Sequence, residues 1–177
     1  LQVFHPDFFG GTWSSCPDPL DFNYFQCVNI YRDKNAYYKD FGWVKVPTSS
    51  DRSPAGIVQL TNQQRNQMEL AMGTKNRSGE QIDIFEAVYG PIGPDGYVKP
   101  LFSKRTGEID PEVAEYWKDY DIHSYLKKNW SWLGPKLKGK LHIYIGDMDT
   151  FYLNNAVVLL EEFLESTKEP YYDGTVE

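Results

Sequence analysis

The sequence predicts an α/β domain: an open parallel sheet with helical cover, present only in part and carrying an irregular, aromatic-rich middle. Residues 141–166 read as strand, acidic loop and amphipathic helix, followed by a turn and the start of another strand at Thr175-Val176-Glu177. That alternation builds parallel sheets. The strand Leu141-His142-Ile143-Tyr144-Ile145 is apolar at most positions, as expected where helices cover a parallel sheet. The strands found are too few for a complete sheet. A preceding chain segment or a partner chain is therefore expected to supply the rest and protect the exposed edge.

Gly11-Thr12-Trp13-Ser14-Ser15 reads as a short strand, which Cys16-Pro17-Asp18-Pro19 ends, because proline removes backbone donors. Residues 20–58 are rich in aromatics with little periodicity, and Asn29-Ile30-Tyr31-Arg32 is at best a short extended piece. Thr61-Asn62-Gln63-Gln64 has the pattern of a capping box, opening a helix that runs to about Met72 and stops at Gly73. Its apolar side is thin (Met68, Ala71, Met72), which suits a peripheral helix. Residues 82–89 fit a short helix or a strand, and residues 90–97 form a turn-rich loop.

Asp110-Pro111 is a strong helix start, since the carboxylate caps free amides and proline fits the first helical position. Asp121 is placed to cap a second helix with Ile122, Tyr125 and Leu126. Gly134-Pro135 and Gly139 are expected to bracket a linker into the strand at 141–145. After Gly146-Asp147-Met148-Asp149, a helix starts near Leu153 and runs to about Ser166. Ala156, Leu160, Phe163 and Leu164 fall on its inner side, and Glu161, Glu162 and Glu165 can face solvent.

Composition narrows the function classes. The 177 residues include 18 Lys and Arg against 25 Asp and Glu, a net charge of -7, which disfavours a nucleic-acid partner. No apolar stretch approaches the roughly 20 residues of a membrane span, and no signal peptide is visible. The chain lacks an initial Met and is expected to be part of a longer or processed protein. Cys16 and Cys27 form no CxxC pair and read as ordinary thiols. His5, His123 and His142 are too scattered for a metal site, His123 being placed on a helix surface. Gly-rich phosphate motifs are absent, so no cofactor is expected. Asn76-Arg77-Ser78 and Asn129-Trp130-Ser131 match the glycosylation pattern.

The residues with chemical promise lie beyond a strand end. Side chains at the carboxyl end of a parallel strand point into the crevice where open α/β sheets bind ligands. Asp149, with Asp147 as fallback, sits there and suits the acid that orients a catalytic histidine. The same carboxylates equally suit helix capping or loop folding. No GxSxG elbow is present to supply a nucleophile. Trp13 and Trp43, among the aromatics at residues 13–43, suit a substrate cover, a carbohydrate platform, a protein interface or ordinary packing. Arg52 suits either an anionic ligand or a surface ion pair.

Three segments carry a family resemblance: HPDFFGGTWSSCPDPLDF at 5–22, DIFEAVYGPIGPDGYVKPLF at 83–102 and LHIYIGDMDTFYLNNAVVLLEEFLE at 141–165. Together they resemble the carboxyl-terminal half of esterases of the α/β-hydrolase superfamily, in the esterase D and enterochelin-esterase-like group. The resemblance implies a carboxylic-ester hydrolase with Asp149 as triad acid. It puts the serine before Leu1 and the histidine after Glu177, so the 177 residues alone would lack nucleophile and base. It makes residues 20–130 an insertion covering the site, within one partial domain spanning 1–177. The implied substrate is a small-molecule or glycan-derived ester. The competing expectations are a non-catalytic hydrolase-like module that binds carbohydrate, and a structural subunit whose sheet a partner completes.

Overall fold

The computed structural model describes residues 1–177, and the chain forms a mixed α/β fold with an aromatic-rich region. In chain order it comprises β1 (Thr12–Ser15), β2 (Tyr38–Asp40), β3 (Lys45–Pro47), β4 (Ser49–Arg52), β5 (Val58–Thr61), α1 (Asn62–Met72), α2 (Gln81–Tyr89), α3 (Pro111–Trp117), α4 (Ile122–Leu137), β6 (Leu141–Tyr144), α5 (Asn154–Ser166) and β7 (Thr175–Val176). The main sheet has the order β1-β6-β7. Both pairings are parallel, with Thr12 opposite Leu141, Ser15 opposite Tyr144, and His142 opposite Thr175. Strands β2–β3 and β4–β5 form two small antiparallel pairs.

Strand alternation separates the two faces of β6. Leu141 and Ile143 are buried beside Leu126, Leu133 and Leu137 of α4 and Val157, Leu160 and Leu164 of α5. Burying each such side chain stabilises the fold by roughly 1.5–3 kcal/mol. On the other face, Trp13 stacks on His142 at 4.9 Å between ring centroids and is still 70% exposed. Tyr144 is exposed there too. The helical cover expected from the sequence lies on one face, that of Leu141 and Ile143.

Capping residues fix the helix starts. Thr61 Oγ1 accepts the Gln64 amide and Gln64 Oε1 accepts the Thr61 amide, closing the capping box of α1. Asp110 accepts the amides of Glu112 and Val113 at α3, and Asp121 accepts the Ser124 amide at α4. Residues 82–89 are helical rather than extended. Glu69 of α1 accepts the amides of Ile82 and Asp83 at 3.0 and 3.1 Å, placing a carboxylate on the positive end of α2.

Three expectations need correction. The segment around Gly134-Pro135 is not a linker, because α4 runs through it to Leu137. Leu133 and Leu137 are fully buried, and this packing outweighs the weak helix propensity of glycine and proline. Gly134 also admits a close approach: a Cβ there would lie 2.9 Å from the Trp130 ring and 3.0 Å from Pro170. Helix α1 does not pack through its methionines. Met68 and Met72 face solvent, while Asn62, Asn66 and Glu69 are buried. Residues 29–32 are a turn, not an extended piece, closed by Asn29 Oδ1 on the amides of Tyr31 and Arg32.

The aromatic-rich region has its own core. Phe22, Phe25, Phe85 and Trp117 pack edge to face, with centroid distances of 5.5–5.7 Å for Phe22–Trp117, Phe25–Trp117 and Phe25–Phe85. Beside it lies a buried charge cluster. Lys104 Nζ is 2.8 Å from Asp83, 3.2 Å from Glu69 and 3.5 Å from Glu86, and 2.9 Å from Asn66 Oδ1. Burial pushes the Glu86 carboxyl up to about 7, against the pull of Lys104. Burial likewise works against ionisation of Asp83, but Lys104 and Ser78 hold that carboxyl below its usual range.

Candidate functional site

A cavity of about 300 Å³ opens where the carboxyl ends of β1 and β6 meet the aromatic-rich region. Cys16, directly after β1, and Asp149, in the loop after β6, share its wall with Asp18, Gln26, Gln81 and Phe85. The cavity lies at the carboxyl ends of two parallel strands. Backbone strain gathers around it: Cys16 and Gln26 in its wall, and Tyr152 in the loop beyond Asp149, have φ of +48°, +57° and +60°. Each such non-glycine residue costs on the order of 1–2 kcal/mol. Burial raises the Asp18 carboxyl above the usual carboxylate range.

The Asp149 carboxylate is divided between two tasks. Its Oδ1 accepts the amides of Phe151 and Leu153, both at 2.9 Å. These bonds fold the loop that leads into α5, as the loop-folding alternative anticipated; Asp149 does not cap the helix, whose N-cap position is Leu153. Its Oδ2 takes no hydrogen bond from the chain, which leaves one free acceptor on a half-buried carboxylate in a braced turn. Asp147 is exposed on the same loop.

Arg52 forms no surface ion pair; its guanidinium is engaged by the Asp149 loop. Its Nε donates to the Asp149 carbonyl at 3.0 Å. Its Nη2 donates to the Asp147 carbonyl at 3.0 Å and to Asn154 Oδ1 at 3.1 Å. The guanidinium lies over the Tyr152 ring at 4.3 Å. Arg52 and Asp149 are therefore brought together. Trp13 and Trp43 are not: Trp13 lies on the open sheet face, and Trp43 is 90% exposed in the connection between β2 and β3.

Sequence reasoning missed one constellation. His123 is not on a free helix surface; its Nδ1 is 2.5 Å from the buried Asp21 Oδ2. Burial opposes ionisation of Asp21, but His123 and Asn23 hold its carboxyl below the usual range. The two residues are 102 positions apart, so no local signal could pair them. They line a second, more open cavity of about 680 Å³ that also reaches Cys27 and Lys127. Burial pushes the Cys27 thiol up to about 11, leaving it protonated and a poor nucleophile at neutral pH. His123 Nε2 is itself buried without a partner, so the pair does not present a base to that cavity.

Both cysteines are free thiols. No group of three or more His, Cys, Asp or Glu converges to hold a metal ion, and no helix is long and apolar enough to cross a membrane. Asn129 of the second glycosylation pattern lies within α4, with its amide nitrogen donated to the Tyr125 carbonyl. In comparisons with known proteins, no family model, no curated protein and no solved structure matches this chain.

Proposed function

We propose that residues 1–177 are the carboxyl-terminal part of a serine-dependent carboxylic-ester hydrolase in which Asp149 is the triad acid. One observation carries this reading. Asp149 stands beyond the carboxyl end of β6, the middle of three parallel strands, with one oxygen braced by its loop and the other open as an acceptor. The sheet order β1-β6-β7 agrees with it, because the strand that carries the acid is central and the strand that follows it in the chain pairs beside it. The rigid turn supplies the orientation that a triad acid requires.

In the proposed reaction a serine oxygen attacks the ester carbonyl, and a histidine takes the serine proton and returns it to the departing alcohol. Water then releases the acyl group by the same proton route. Asp149 Oδ2 accepts the second imidazole N–H, fixing its tautomer and stabilising the imidazolium. Serine, histidine and the oxyanion amides belong, in this reading, to sequence outside 1–177. The substrate is a small-molecule or glycan-derived ester, and the chemistry needs no metal or cofactor.

The test is fluorophosphonate labelling of the source protein, followed by intact mass. The expected result is a single adduct on a protein heavier than 20.5 kDa. Asp149→Asn should slow ester turnover by roughly 10⁴-fold. An unlabelled protein, or an Asp149→Asn variant as fast as the parent, would overturn the proposal.

A second reading, a subunit whose sheet a partner completes, is favoured by the open face that carries Trp13 and Tyr144 and by the unpaired edge of β1. Light scattering after size exclusion tests it: a folded monomer of 20.5 kDa contradicts it.

A further inference from the structure

Strand β4 reaches the Asp149 loop through one side chain and its own backbone. Besides the contacts of its guanidinium with Asp147, Asp149 and Asn154, the Arg52 amide donates to the Thr150 carbonyl at 2.9 Å. The four partners span residues 147–154, the whole turn from which Asp149 projects. Tyr152, under the guanidinium, is held in a left-handed conformation. A planar fork can take several carbonyl acceptors at once, whereas a lysine ammonium is a single point charge on a flexible stem. The anchor is itself irregular: the β4–β5 pairing shifts register between Asp51 and Arg52, and such a bulge re-aims a side chain. Arg65 secures the neighbouring position, bonding Ser50 Oγ at 2.9 Å and the Asp51 carboxylate at 3.2 Å.

We infer that Arg52 is a positioning residue, by which the β4–β5 pair sets the orientation of the Asp149 carboxylate. The latch itself is a property of the fold; its bearing on turnover rests on the hydrolase reading above. Arg52 touches no reacting atom. It fixes the carbonyls of the turn, the turn fixes the amides of Phe151 and Leu153, and those amides hold Oδ1 so that Oδ2 faces one direction. The aromatic-rich region thereby braces the acid chiefly through Arg52, with the Arg65 guanidinium over the Phe151 ring at 5.7 Å beside it, and movement of the β4–β5 pair would be transmitted to the loop.

Two measurements test this separately. In the 177-residue chain, Arg52→Ala should raise hydrogen exchange of the Phe151 and Leu153 amides by about tenfold, the size of one lost charge-assisted hydrogen bond. Exchange in Leu141–Tyr144 and at Leu160 should not change. Arg52→Lys should resemble Arg52→Ala, and added guanidinium, but not methylammonium, should restore protection to Arg52→Ala. Unchanged exchange, or a loss spread evenly through β6 and α5, would overturn the latch. In the source protein, Arg52→Ala should lower kcat by about 10–100-fold at nearly constant KM, since it disturbs only the orientation of the acid. Normal kcat with deprotected loop amides would overturn the positioning role while leaving the hydrolase reading intact. Failure of the parent protein to label with fluorophosphonate would overturn the hydrolase reading, and with it the bearing on turnover, while the exchange result still decides the latch.

Discussion

Replacing Lys104 by Met should be among the most damaging single changes in the chain, and its cost should grow with pH. The Lys104 side chain is 10% exposed, and the three carboxylates around it are 0–3% exposed. Methionine keeps most of the apolar stem but strands the acids in a poorly solvated site. Removing one partner of a buried ion pair costs about 3–5 kcal/mol, and the loss should be largest at pH 8, where Lys104 in the parent chain stabilises an ionised Glu86 and the variant has nothing to offset that charge. At pH 5.5 Glu86 holds its proton, one fewer charge is stranded, and the loss should fall by roughly half. Urea unfolding followed by tryptophan fluorescence at both pH values measures this. The midpoint at pH 8 should drop by about 2 M, given a denaturant slope of roughly 1–3 kcal/mol per M. A loss below about 1 kcal/mol at pH 8, or one equal at both pH values, would refute the argument that Lys104 neutralises this cluster.

Two further stability outcomes follow from the same packing. The Glu86 carboxyl ionises near its ordinary 4.5 in the unfolded chain but only near 7 when folded, so the native state keeps a proton that the unfolded state releases. Its stabilising contribution is complete below the unfolded value and is lost as pH rises toward and through 7. In Glu86→Gln that decline should disappear, flattening stability between pH 5 and 7.5 by about 2–3 kcal/mol in urea titrations; an unchanged slope would contradict the assignment. Gly134→Ala should cost about 1–3 kcal/mol despite the better helix propensity of alanine, because its methyl meets the Trp130 ring and Pro170. A stabilised variant in thermal melts would show that α4 relaxes there without strain.

Local signals in the sequence identified local structure well. The capping residues Thr61, Asp110 and Asp121 open the helices they were expected to open. Residues 141–166 fold as strand, acidic loop and helix because their apolar spacing matches each element. Errors arose where distant packing decides. Proline and glycine at 134–135 read as a break, yet Leu133 and Leu137 bury enough surface to carry the helix across them. The buried side of α1 is polar because Lys104 and the start of α2 need Glu69, and hydrophobic spacing cannot register that demand. At the candidate site, the position of Asp149 after a strand was legible. Its contact with Arg52, 97 residues away, and the pairing of His123 with Asp21 were not, since both depend on how the aromatic-rich region folds back.

The two apolar clusters share no residue: one is drawn from positions 22–117, the other from Val3 and positions 126–172. The side-chain bonds described between the two halves are polar, running from Asp21 to His123, from Asp121 to the Phe22 amide and Tyr31 hydroxyl, and from Arg52 to the Asp149 loop. Such a molecule has two cooperative units stitched by a hydrogen-bonded seam. Its heat-absorption profile should broaden toward two transitions, with a calorimetric enthalpy above the van't Hoff value. Core substitutions in one cluster should add to those in the other without interaction, while changes at Arg52 or in the hydrogen-bonded seam should be felt in both halves.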